Sequence, residues 1–94
     1  MQRSIANILI GSCFEQNTDF LGNDVGAKEM DLSSDEYDCQ KECQNYDSCN
    51  YWTWYMNVCY MKNSDSRRVS KNGAISGPKF CPGNLPFYWY MNFV

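Results

Sequence analysis

Cys13, Cys39, Cys43, Cys49, Cys59 and Cys81 are the residues of this 94-residue chain with the widest chemistry open to them. A thiolate can attack a carbonyl, hold zinc, or oxidise in a pair. Nucleophilic use of the Cys-His or Ser-His-Asp kind needs an imidazole to carry the proton, and the chain has no histidine. A zinc site would have to be all thiolate, and the gaps of four, six and ten residues from Cys39 to Cys59 contain no C-x-x-C knuckle. An even number of cysteines in so short a chain reads instead as a disulfide framework made in an oxidising compartment. The acids cluster where a solvated helix face is expected, and no G-x-S-x-G, phosphate-cradling glycine loop or calcium-loop pattern is present. No catalytic residue, metal or cofactor is therefore expected.

Length points to a single small domain, and 16% aromatic residues exclude a disordered chain. A net charge of -3 argues against nucleic acid as a partner. No stretch approaches the ~18 to 20 apolar residues of a membrane span. Met1 to Ile10 has the outline of a signal peptide, but it is short and Asn7 interrupts its apolar run, so it reads as a strand or linker. Six acids lie between Asp31 and Asp47, and five bases lie between Lys62 and Lys79.

The elements that must position the cysteines are short. Ser33 and Glu36 have capping-box spacing, which predicts a helix running through Cys39 and Cys43 to about Asn45. Cys39 and Cys43 then share one helical face, directed at a sheet. Phe14 to Leu21 reads as a strand, followed by a turn at Gly22-Asn23-Asp24. Cys49 to Met56 and Val58 to Lys62 read as a hairpin turning at Met56-Asn57, and Asn72-Gly73 as a tight turn before Ala74 to Gly77. Period two puts Trp52 and Trp54 on the core face and Tyr51, Thr53 and Tyr55 on the other. Six cysteines permit many pairings and sequence does not choose among them, although a local Cys43 to Cys49 bridge would be easily closed.

Cys13, the Gly22-Asn23-Asp24 turn, Cys39-x-x-x-Cys43, Cys49-Asn50-Tyr51-Trp52-Thr53-Trp54, Val58-Cys59-Tyr60-Met61-Lys62, Gly73 to Gly77 and Cys81 occur in an order that resembles a PAN/apple module. Such modules are found in plasma prekallikrein, coagulation factor XI and the microneme adhesins of apicomplexan parasites. The resemblance implies a disulfide-rich α+β fold, with one helix on an antiparallel sheet of about five strands. It also implies the pairing Cys39 to Cys59, Cys43 to Cys49 and Cys13 to Cys81. On this reading residues 1-12 flank the module, 13-81 form it, and 82-94 are a tail whose Leu85 to Val94 segment is aromatic and uncharged, able to pair with Ile5 to Ile10 or to begin something longer.

The function implied is that of a non-catalytic, secreted binding module. Its partner would be a protein or a cell-surface glycan, and tandem copies or other domains would complete the parent protein. A lectin for galactosides or sulfated glycans is the second reading, and an apple domain of a coagulation-type zymogen the third. No ligand motif carries over residue by residue, so the site must come from the chain itself. Two surfaces are candidates: the face carrying Tyr51, Thr53 and Tyr55, and the basic group Lys62, Arg67, Arg68, Lys71 and Lys79, suited to sulfate, sialate or carboxylate.

Overall fold

The structure is a computed structural model that describes residues 13-82. The expected Ile5 to Ile10 strand, the aromatic tail and most of the flanking segments lie outside the described residues. The order is β1 (Glu15–Phe20), β2 (Asp24–Glu29), α1 (Glu36–Gln44), β3 (Tyr51–Tyr55), β4 (Val58–Lys62) and β5 (Arg68–Pro78). All neighbours are antiparallel in one five-stranded sheet of order β1-β5-β3-β4-β2.

That order imposes a shape. β1 and β2 are the two outermost strands, yet only Leu21, Gly22 and Asn23 separate them in sequence. In a flat sheet, strands four places apart lie about 19 Å from each other. The chain from Phe20 to Asp24 spans at most about 15 Å. The sheet must therefore curl, in the sense that strand twist favours, until its edges approach. Gly22 and Asn23 make the sharp link with φ of 79° and 61°, values that glycine and asparagine tolerate best.

The helix packs on the other face. Its start differs from the expected one: Asp35, not Ser33, is the N-cap, and the box closes through Asp38 rather than Glu36. The Asp35 carboxylate accepts from the N–H of Tyr37 and Asp38 at 3.0 and 3.2 Å, and Asp38 accepts from the N–H of Asp35 at 2.9 Å. Aspartate caps as well as serine, and the Ser34 N–H already turns back to the Asp31 carbonyl, which places residues 31-34 in a turn ahead of the helix. Asn45 is the C-cap.

Cys39 and Cys43 lie fully buried on one face of α1. Cys39 is bridged to Cys59 of β4 and Cys43 to Cys49 just before β3, while Cys13 is bridged to Cys81, with Cα separations of 5.2, 5.3 and 5.7 Å. This is the pairing that the resemblance implies. Each bridge contributes ~2 to 4 kcal/mol, mainly by restricting the unfolded chain. The bridges enclose Trp52, which is 0% exposed, meets Phe14 edge-on at 4.8 Å and donates its indole N–H to the Pro78 carbonyl at 2.8 Å. Trp54 packs against the same cluster and is partly exposed. Room for Trp52 comes from Gly77, where a Cβ would stand 2.7 Å from the indole ring.

Asn72-Gly73 is not a hairpin turn. It lies inside β5, where the register with β1 passes from Gln16↔Ile75 to Thr18↔Ser70. Four residues of β5 thus oppose Asn17 alone. Asn17 and Gly73 both take positive φ, and the Asn17 side chain accepts the Gly73 N–H at 3.0 Å. The signal that marks a turn elsewhere here marks a bulge that bends a continuous strand.

Cap substitution separates the two helix starts. Asp35→Ala should lower stability by about 1 kcal/mol in urea denaturation, whereas Ser33→Ala should leave it unchanged; the reverse ranking would restore the start at Ser33.

Candidate functional site

The face away from α1 carries Tyr51, Thr53 and Tyr55 on β3, as the alternation expects, with Val58, Tyr60 and Lys62 opposite them on β4. Curling has consumed part of this face. Thr53 is 1% exposed. Ser76 gives its only hydroxyl proton to the Thr18 carbonyl at 2.7 Å, so Thr53 donates to Ser76 at 2.6 Å and accepts from the Phe20 N–H at 3.4 Å. A relay of hydroxyls thus joins β3 through β5 to β1, and Thr53 borders the cleft described below as an almost wholly covered group. Tyr51 is half-buried with its ring edge-on to Phe20 at 5.8 Å.

Lys62 is also an inward group, at 3% exposure. Its ammonium donates to Asp24 of β2 and, at 3.1 Å, to the Gly22 carbonyl, with Asp19 of β1 at 3.9 Å. Residues from both edge strands therefore meet on one lysine at the end of β4. An ammonium can be buried when its three donors face anions and a carbonyl, and here all three partners belong to the β1-β2 closure.

The other bases do not form one patch. Arg68 shares its Nε–H between the two carboxylate oxygens of Glu15 at 2.8 and 2.9 Å, donates from Nη2 to Asp65 at 2.9 Å, and lies 4.8 Å over the Phe20 ring. The Glu15 hydrogen bond, opposed by desolvation and reinforced by Asp65, raises its pKa still further above the ordinary arginine value, so it stays charged at every physiological pH. Arg67 is exposed beyond the closure, and its carbonyl accepts the Leu21 N–H at 2.8 Å. Lys79 stands near the end of α1, donating to the Tyr46 carbonyl at 3.3 Å.

Lys71 has a different setting. Its ammonium lies 4.2 Å above the Tyr55 ring, a cation-π contact, and no carboxylate of the described residues pairs with it. The two surfaces suggested by the sequence meet here. Tyr55 and Lys71, with Tyr60, Leu21, Asp24 and the rim of Lys62, line a half-open cleft of about 190 Å³. The Asp24 side chain is 50% exposed, so the cleft offers an accepting carboxylate, a donating ammonium and two tyrosine rings. That set suits a flat ring or an apolar side chain flanked by hydrogen-bonding groups. Among the described residues no group of histidine, cysteine or carboxylate side chains has the arrangement of a metal site, and no helix is long and apolar enough to cross a membrane.

Tyr60, Asp19, Asp24 and Leu21 were not among the sequence candidates. Tyr60 was readable, since it alternates with Lys62 along β4. The two aspartates were not: Asp24 meets Lys62 as its register partner in the β2-β4 pairing, and Asp19 reaches it only because the sheet curls.

No protein-family model matches the chain. A microneme antigen of Sarcocystis muris is 26% identical over 83 residues, covering 86% of this chain and 34% of that protein, so the chain spans about a third of the relative's length. The solution structure of a PAN module from Eimeria tenella superposes with a TM-score of 0.54 at 20% identity, covering 73% of this chain and 80% of that one.

Removing the buried ammonium leaves Asp19 and the Gly22 carbonyl without their partner. Lys62→Ala should therefore lower the unfolding free energy by about 3 kcal/mol, and exposed Arg67→Ala by less than about 0.5 kcal/mol, both read from urea melts. Equal small losses would mean that Lys62 is an ordinary surface base.

Proposed function

We propose that this chain, which has the fold of a PAN/apple module, is a non-catalytic, extracellular adhesive module that binds a protein or a cell-surface glycan through the cleft between Tyr55 and Lys71. The observation that carries the reading is the Tyr55-Lys71 pair itself. It combines a tyrosine face with an ammonium that has no carboxylate partner among the described residues, in a cleft that Lys62, held by Asp24, also lines. Preorganised aromatic and cationic groups of this kind anchor interfaces. Three disulfides in so small a domain support folding in a secretory compartment.

Similarity to a microneme antigen supports a place in a larger secreted protein, with further modules, released through a secretory organelle and used in attachment to host cells. A dedicated lectin is the second reading. The exposed Asp24 carboxylate favours it, because paired sugar hydroxyls need an acceptor beside a stacking ring.

Tyr55→Ala and Lys71→Ala should each weaken binding to intact cells at least about tenfold, near 1.4 kcal/mol, with the melting temperature unchanged. Saccharide binding by the isolated module on a glycan array, abolished by the same substitutions, selects the lectin. Unchanged affinity in both variants removes the cleft as the binding site.

A further inference from the structure

Leu32 is 92% exposed and Met56 76% exposed, the two most exposed large apolar side chains among the described residues. They come from distant parts of the sequence, and the two segments that carry them are tied together. Asn57, at the hairpin tip, donates from its side chain to the carbonyls of Met30 and Asp31 at 2.8 and 2.9 Å, and its own carbonyl accepts the Met30 N–H at 2.9 Å. The Asp31 carbonyl also accepts the Ser34 N–H at 2.9 Å, closing a turn around Leu32. Each apolar side chain is thus one residue from a backbone pinned by hydrogen bonds, and neither lines the cleft.

Met56 also breaks a local rule. It takes φ 50° at the first of two left-handed turn positions, with Asn57 following at 65°. Turns of this kind favour asparagine, aspartate or glycine there, because a larger side chain strains the left-handed backbone. Methionine gains nothing in return from burial. Strain retained by an exposed apolar side chain is a mark of contact rather than of folding.

The setting gives the partner's chemistry. Glu29 and Asp31 precede Leu32 and Asp35, the helix cap, and Glu36 follow it, the first three of these acids exposed, and Lys28, the nearest base in sequence, is bound to Glu42 at 3.1 Å. An apolar side chain flanked in the chain by acids complements an apolar pocket bordered by basic residues, and it is repelled by an anionic lipid surface. We infer that Leu32 and Met56 form a second docking point, independent of the cleft, that seats in a basic-rimmed apolar pocket on a partner protein.

The test is a titration of the isotope-labelled chain with a helical peptide of alternating leucine and lysine faces, its leucine and glutamate counterpart, and phosphatidylserine vesicles. Amide shifts at Leu32, Met56 and Asn57 are expected with the lysine peptide alone. Leu32→Ala combined with Met56→Gly should weaken that binding at least about tenfold. Met56→Gly alone should raise the melting temperature by a few degrees, about 3 °C, by relieving the turn. Equal shifts with both peptides, shifts with vesicles but not the lysine peptide, unaltered binding by the double variant, or a lowered melting temperature for Met56→Gly would each overturn the inference.

Discussion

The shortness of the link between β1 and β2 governs this molecule. Three residues join the two outermost strands of a five-stranded sheet, and no flat sheet can accommodate them. Once the sheet curls, one of its faces turns inward and becomes polar in a controlled way. Thr53, Ser76 and the Thr18 carbonyl form a relay, and Lys62 collects Asp19 and Asp24 from the two edge strands and the Gly22 carbonyl from the link between them. A buried ion pair is weak support for stability in general. Its contribution here is to fix which edges meet, since an ammonium stripped of water tolerates few alternatives.

The opposite face solves a different problem. A chain this small buries too little apolar surface to stand on packing alone, and α1 is only nine residues long. Two disulfides fasten it to the β3-β4 side of the sheet around Trp52, and the third joins the residues that flank the sheet. With the helix face covalently secured and the inner face sealed by Lys62, the rim where Tyr55, Tyr60 and Lys71 stand is left to carry contacts without carrying the fold.

Much of this was legible in the sequence. Aromatic alternation identified β3 and its two faces, cysteine spacing placed a helical face against the sheet, and the resemblance supplied the pairing and the α+β architecture. Local signals failed where a competing contact shifted them. Asp35 displaced Ser33 as the cap because the Asp31-Ser34 turn occupies the earlier position, and Asn17 captured Gly73, turning an apparent tight turn into a bulge. The site was half visible. Tyr55 and Lys71 were both candidates, but on separate surfaces. Thr53 and Lys62 border the cleft but are almost wholly covered, which composition cannot show.

If the curl is what organises the site, Asp19 and Lys62 must be energetically coupled, for they lie three strands apart in the sheet order and meet only through closure. A double-mutant cycle with Asp19→Asn and Lys62→Met, followed by urea denaturation, measures that coupling directly. A coupling of about 1 kcal/mol or more is expected for neighbours in one buried network. Strict additivity, within about 0.3 kcal/mol, would contradict the closed sheet and the cleft that depends on it.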